Sequence, residues 1–220
     1  MGIANTKTKR LGADQLMAAT IKALYAGKAS SAATTVYSVP AGKYAVIKSI
    51  VIVNTTANLY RTFRLIVGGA YIAYDHSLQG SQTLVINDLD IPLMAGETIQ
   101  VQGSGGSEVE FTISGFEEDY VAIDYDYSKR TALFTTSGNF SGFGYNYLIK
   151  SIVICNTTNV DAKVTIDIDS TRKLMVEQSV IANDTLIIPN PDIFLPTKTL
   201  SIGVVTTAAV QVSIVLERVV

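Results

Sequence analysis

The sequence predicts an all-β protein: two tandem antiparallel β-sandwich (jelly-roll-like) domains behind an N-terminal arm. Three observations lead there. The stretch Ile47–Thr56 (Ile-Lys-Ser-Ile-Val-Ile-Val-Asn-Thr-Thr) recurs as Ile149–Thr158, changed only at Val53/Cys155 and displaced by 149 − 47 = 102 residues. Short β-branched runs alternate with Gly, Pro and Asn turn signals along most of the chain, without a strong helical period between them. Hydrophobic residues make up 48% and charged residues 16% of the 220, enough apolar material for two cores and too little charge for disorder.

Taken in order, residues 1–30 read as a basic arm. Lys7, Lys9, Arg10, Lys22 and Lys28 stand against Asp14, and Met1–Ala13 has no core of its own. From Asp14, a possible N-cap, Leu16, Met17, Ile21, Leu24 and Tyr25 fall at helical spacing, with Gly27 as a stop. Thr20–Tyr25 also alternates, so an extended arm competes with the short helix that the spacing favours. Ala29–Ala33 is a small-residue joint.

The first domain is expected over 31–118. Thr34–Val39 is a strand, Pro40–Lys43 a turn, Tyr44–Val53 the organising strand and Asn54–Asn58 a polar loop. Leu59–Val67 and Ala70–Asp75 flank Gly68-Gly69, a hairpin signal. Gln82–Ile86 is another strand, Ile91–Glu97 a chain reversal, and Thr98–Gln102 and Glu108–Phe116 complete the unit.

The second domain, over 132–220, repeats this pattern. Thr83–Ile86 matches Thr185–Ile188 and Asp90-Ile91 matches Asp192-Ile193 at offset 102. Phe111 and Ile113 match Val212 and Ile214 at 101, so the register slips by one residue. Residues 119–131, acidic and tyrosine-rich, read as an ordered connection.

The organising strands are apolar on both faces. Ile50 and Ile52 fall on one side and Val51 and Val53 on the other. Both sides must then be covered, one by the domain's own core and the other by flanking segments, the sister domain or another subunit. Val53 and Cys155 are both expected to be buried, and a lone cysteine in a core behaves as a small hydrophobe.

No chemistry of catalysis emerges. His76 is the only histidine, no Gly-x-Ser-x-Gly elbow is present, and one His with one Cys cannot make a zinc site. Asp167/Asp169 and Asp124/Asp126 pair carboxylates but lack the glycine and terminal glutamate of a calcium loop, and the first pair is expected on a strand's wet face. Gly103–Gly106 and Gly138–Gly144 read as tight turns, because neither opens a helix that could hold a phosphate. No cofactor or metal is expected, and no enzymatic activity.

The net charge of −2 and pI near 5.4 argue against nucleic acid and anionic membranes as partners. The N-terminus lacks an apolar signal core, and no run of about 18 apolar residues could span a bilayer. Synthesis in the cytoplasm of a host cell is expected. Two candidate contact sets stand out. One is the arm, through Lys7, Lys9, Arg10, Leu11, Leu16 and Met17. The other is an aromatic cluster of Tyr120, Tyr125, Tyr127, Phe143, Tyr145 and Tyr147, suited to a subunit contact or to stacking on a surface glycan.

The order Val36–Lys43 (Val-Tyr-Ser-Val-Pro-Ala-Gly-Lys), Ile47–Thr56, Pro92–Glu97 and Phe111–Gly115 resembles small β-sandwich virion proteins of tailed bacteriophages. The second unit departs from that pattern at Phe134–Gly138 and Phe194–Lys198. The resemblance implies a structural protein of the virion that assembles with itself and with other particle proteins. A tail or baseplate position is expected first, then head (capsid) decoration. A glycan-binding adhesion module is the alternative from another class.

Overall fold

Apolar β-branched runs, cut by Gly, Pro and Asn turns, form sixteen strands in the computed structural model, which describes residues 20–119, 129–141, 145–196 and 201–219. The first half contains β1 (Lys22–Lys28), β2 (Thr34–Ser38), β3 (Lys43–Asn54), β4 (Arg61–Val67), β5 (Ala70–Leu78), β6 (Thr83–Leu93), β7 (Thr98–Gly103) and β8 (Val109–Asp119). The second half contains β9 (Lys129–Phe134), β10 (Gly138–Ser141), β11 (Asn146–Asn156), β12 (Ala162–Ile168), β13 (Arg172–Val180), β14 (Thr185–Leu195), β15 (Ser201–Thr206) and β16 (Val210–Val219).

These strands pair antiparallel into four four-stranded sheets. Sheet I has the order β1-β8-β3-β6 and sheet II β2-β7-β4-β5. Sheet III, β14-β11-β16-β9, and sheet IV, β10-β15-β12-β13, repeat that order in the second half. Ile47, Ile50, Ile52, Phe63 and Phe111 fill the first core, and Ile149, Ile152, Ile154, Val164 and Ile214 the second.

The expected pair of tandem jelly-roll sandwiches is corrected by this arrangement. The four small sheets form a propeller-like ring, although each draws alternating strands rather than a simple meander. The physical reason is the second apolar face of sheet III. Val153 and Val215 on that face join the first core, so packing is not confined to each repeat.

Two local expectations also change. Residues 22–28 are neither a helix nor a free arm, because they hydrogen-bond along β8 and bury Leu24 in the first core. Alternation, not helical spacing, was the deciding period in that stretch. Strand β6 runs on to Leu93, past the expected end at Ile86, because a bulge absorbs a register shift between Ile47 and Ser49. Opposite it, Asp88 and Asp90 adopt φ of 56° and 52°. The second half repeats this device between Ile149 and Ser151, with Asn190 and Asp192 at φ of 43° and 48°. Lys48 sits at the first bulge and pairs with Asp90; Lys150 pairs likewise with Asp192. Pro92 is tolerated because β6 is an edge strand.

Candidate functional site: the seam between the halves and its open counterparts

The outward face of sheet III lies against β5 and β6 of the first half. Its side chains are small, apolar or hydroxylated, so the sheets approach closely. Val153, Val215 and Ile187 pack onto the core that holds Ile72, Leu89 and Ile91. Three polar contacts fix the register of the seam. Ser151 Oγ donates to the carbonyl of Leu89 at 2.7 Å, and the amide of Tyr71 donates to Gln211 Oε1 at 2.7 Å. His76 Nδ1 lies 2.9 Å from Asp184 Oδ1. Cys155 is wholly buried on this face, and burial pushes its thiol up to about 11. Cavities of about 270 Å³ and 240 Å³ remain along the seam, the first bordered by His76, Ala73 and Thr185, the second by Ile91, Leu133 and Val215.

The same surfaces recur elsewhere in the molecule, where no described segment covers them. On sheet I the residues equivalent to Ser151, Val153 and Cys155 are Ser49, Val51 and Val53, all only half-buried, and Val85, equivalent to Ile187, is 52% exposed. Val53 therefore departs from the expected burial: Cys155 has β5 against it, and Val53 has no described segment there. The centre of this open face carries no charged side chain. Lys28 and Glu110, 3.6 Å apart, stand at its rim.

The second half, in turn, carries an open copy of the β5–β6 surface. Leu174 and Met175 replace the buried Ile72 and Ala73, and are half-exposed. Val176 is 63% exposed and Phe194 49%, and Ile193 is half-buried where Ile91 is covered.

Of the residues singled out from sequence, Lys7, Lys9, Arg10, Leu11, Leu16 and Met17 lie outside the described residues, as do Tyr120, Tyr125, Tyr127 and Phe143. Tyr145 and Tyr147 do not share a surface. Tyr147 is a core side chain at 2% exposure, and Tyr145 lies under the Arg218 guanidinium, 3.6 Å from its ring centroid. Tyr145 precedes β11, which begins at Asn146, so the strand's alternation does not carry it to the face of Tyr147. His76 belongs to the seam. Asp167 is buried rather than on a wet face, accepting hydrogen bonds from the Ser170 amide (3.1 Å) and Lys173 Nζ (3.2 Å).

Ser151, Asp184 and Gln211 were missed, because Ser151 is identical in both copies and the other two are ordinary polar residues. The available signal was the doubly apolar strand at Val153.

No protein-family model matches the chain, and no curated protein is similar to it in sequence. Among solved structures, the major capsid protein P2 of bacteriophage PM2 aligns over 91% of this chain and 98% of its own, at 10% identity and a TM-score of 0.35. HutD from Pseudomonas fluorescens SBW25 aligns over 88% and 76%, at 12% identity and 0.27. The STIV MCP aligns over 90% and 95%, at 13% identity and 0.26. Similarity at these scores is too low to carry a functional argument.

Proposed function

We propose that this chain is a non-enzymatic structural protein of a bacteriophage virion that assembles with copies of itself and with other particle proteins. The observation that carries the reading is the open face of sheet I. A strand face centred on Ser49, Val51 and Val53, uncharged at its middle and charged at its rim, has the anatomy of a protein interface rather than of a solvated surface. The motif resemblance of Val36–Lys43 and Ile47–Thr56 supports a particle context. Repeated faces on one chain suit a lattice of many copies. We therefore favour the head shell over the tail or baseplate position that the motif alone puts first.

Quantitative mass spectrometry of purified particles, with antibody labelling under the electron microscope, tests this. Many copies per particle with label over the head are expected. Absence from the particle overturns the reading, and label confined to the tail overturns the head position. Specific binding on a glycan array without incorporation would favour an adhesion module instead.

A further inference from the structure

The two open surfaces are copies of the two sides of a seam that is already formed inside the chain. We infer that they bind each other between molecules, so that sheet I of one copy docks on β13 and β14 of the next, head to tail. This deepens the self-assembly part of the proposed function and commits to a second copy of the chain as the occupant.

Transposing the internal seam by the repeat offset gives a compatible partner for each of its three polar contacts. Ser151 donating to the Leu89 carbonyl becomes Ser49 facing the carbonyl of Pro191. His76 with Asp184 becomes Gln178 with Gln82, two amides that can each donate and accept. The Tyr71 main-chain amide donating to Gln211 Oε1 becomes the Lys173 main-chain amide facing the Glu110 carboxylate, one acceptor in place of another. The apolar contacts of Val153 and Ile187 transpose as well, with Val51 and Val85 meeting Leu174, Met175 and Ile193, while Ser114 stands where Val215 does in the seam.

Because the joined faces differ, the contact is heterologous. It either closes into a ring of alternating first and second halves or continues as an open chain. The internal seam rotates one half relative to the other, and its repetition imposes the same rotation at every step.

The test uses two full-length variants at positions exposed in the monomer. Thr112→Lys alters the sheet I face, where its counterpart Ser213 is buried in the seam; Val176→Lys alters the β13 face. At about 100 μM, a range that detects even weak self-association, analytical ultracentrifugation should show an oligomer for the unaltered protein and monomers for each variant. An equimolar mixture of the variants retains one intact face of each kind and should stop at a two-chain complex. Thermal transitions equal to that of the unaltered protein verify folding. A monomeric unaltered protein overturns the inference, as does either variant that keeps the full oligomer, or a mixture that stays monomeric. An isologous contact through sheet I would instead leave Val176→Lys fully oligomeric. Particle incorporation is measured separately, so a failure here and a failure of the virion reading are distinguishable.

Discussion

Asn54 and Asn156 close the repeated strands and are both fully buried. Asn54 Nδ2 faces the carbonyls of Leu59 (2.7 Å), Leu78 (3.1 Å) and Gln79 (2.9 Å), and its Oδ1 accepts from the Thr56 amide and hydroxyl. Asn156 repeats the arrangement with Val160, Val180 and Thr158. The side chain thus ties its own loop to the end of β5, and truncating it leaves several carbonyls unsatisfied. Asn54→Ala should lower unfolding free energy by about 2–4 kcal/mol in urea denaturation. Asn54→Asp should be no better, since a carboxylate would face those carbonyls. The sequence shows Asn-Thr-Thr as the mouth of a polar turn; that the distant carbonyls of Leu78 and Gln79 converge on the same amide is a property of the tertiary fold. Gly115, at the end of the Phe-x-Ile-x-Gly run, has a similar hidden reason. A Cβ there would run into the Val46 carbonyl and press on Leu24, whereas the second half has Leu216 in the equivalent place.

At the scale of elements, β1 shows how a segment that reads as an appendage becomes part of a sheet. Its outer anchor is Glu117 on β8. The Tyr37 hydroxyl donates to this carboxylate at 2.8 Å and holds it below its usual range, with Lys22 (3.3 Å) and Lys43 (3.7 Å) adding to the effect. A carboxylate depressed on folding stabilises the native state above its ordinary pKa, and that contribution is lost as pH falls through its lowered value. Protection of the β1 amides, measured against the intrinsic exchange rate at each pH, should therefore fall below the ordinary carboxylate range, and Glu117→Gln should flatten that dependence. If the slope is unchanged in Glu117→Gln, the anchor lies elsewhere. Truncation separates the arm from the sheet. Removing residues 1–19 should leave the thermal transition in place, whereas removing 1–28 takes out β1 and should destabilise the first half, since Leu24→Ala alone should cost about 2–3 kcal/mol. The strand boundaries of β3 and β11 were legible from their β-branched runs. The bulges at Lys48 and Lys150 were not, because a one-residue register shift changes which face a side chain takes and leaves no mark on composition.

The whole molecule is held by an asymmetry between equivalent faces. Val153 is buried in the seam and Val51 is half-exposed, although the two occupy identical decapeptide positions. Val153→Asp should cost about 3–5 kcal/mol by placing an unpaired charge in the joint, and Val51→Asp about 1 kcal/mol or less in the dilute chain. Equal losses from the two would contradict the asymmetry. The repeat and the need to cover both faces of the organising strands could be read from Ile50–Val53. Which neighbour covers which face could not, because two strands that differ only at Val53/Cys155 give no clue to their different surroundings. The ring of four sheets follows from that choice of neighbour, and for this reason it escaped a reading that treated each repeat alone.

The lone thiol in the seam makes the joint a clock. Cys155 is fully buried, and burial raises its thiol to about 11, so a modifying reagent meets a protonated, inaccessible sulfur until the halves part. Its labelling rate, measured against that of an unfolded control at the same pH, gives the frequency with which the joint opens. That rate should rise in Val153→Ala and stay unchanged in Val51→Ala. No dye, tag or engineered residue is required, because the single point at which the two decapeptides differ already placed the reporter on the face that is covered.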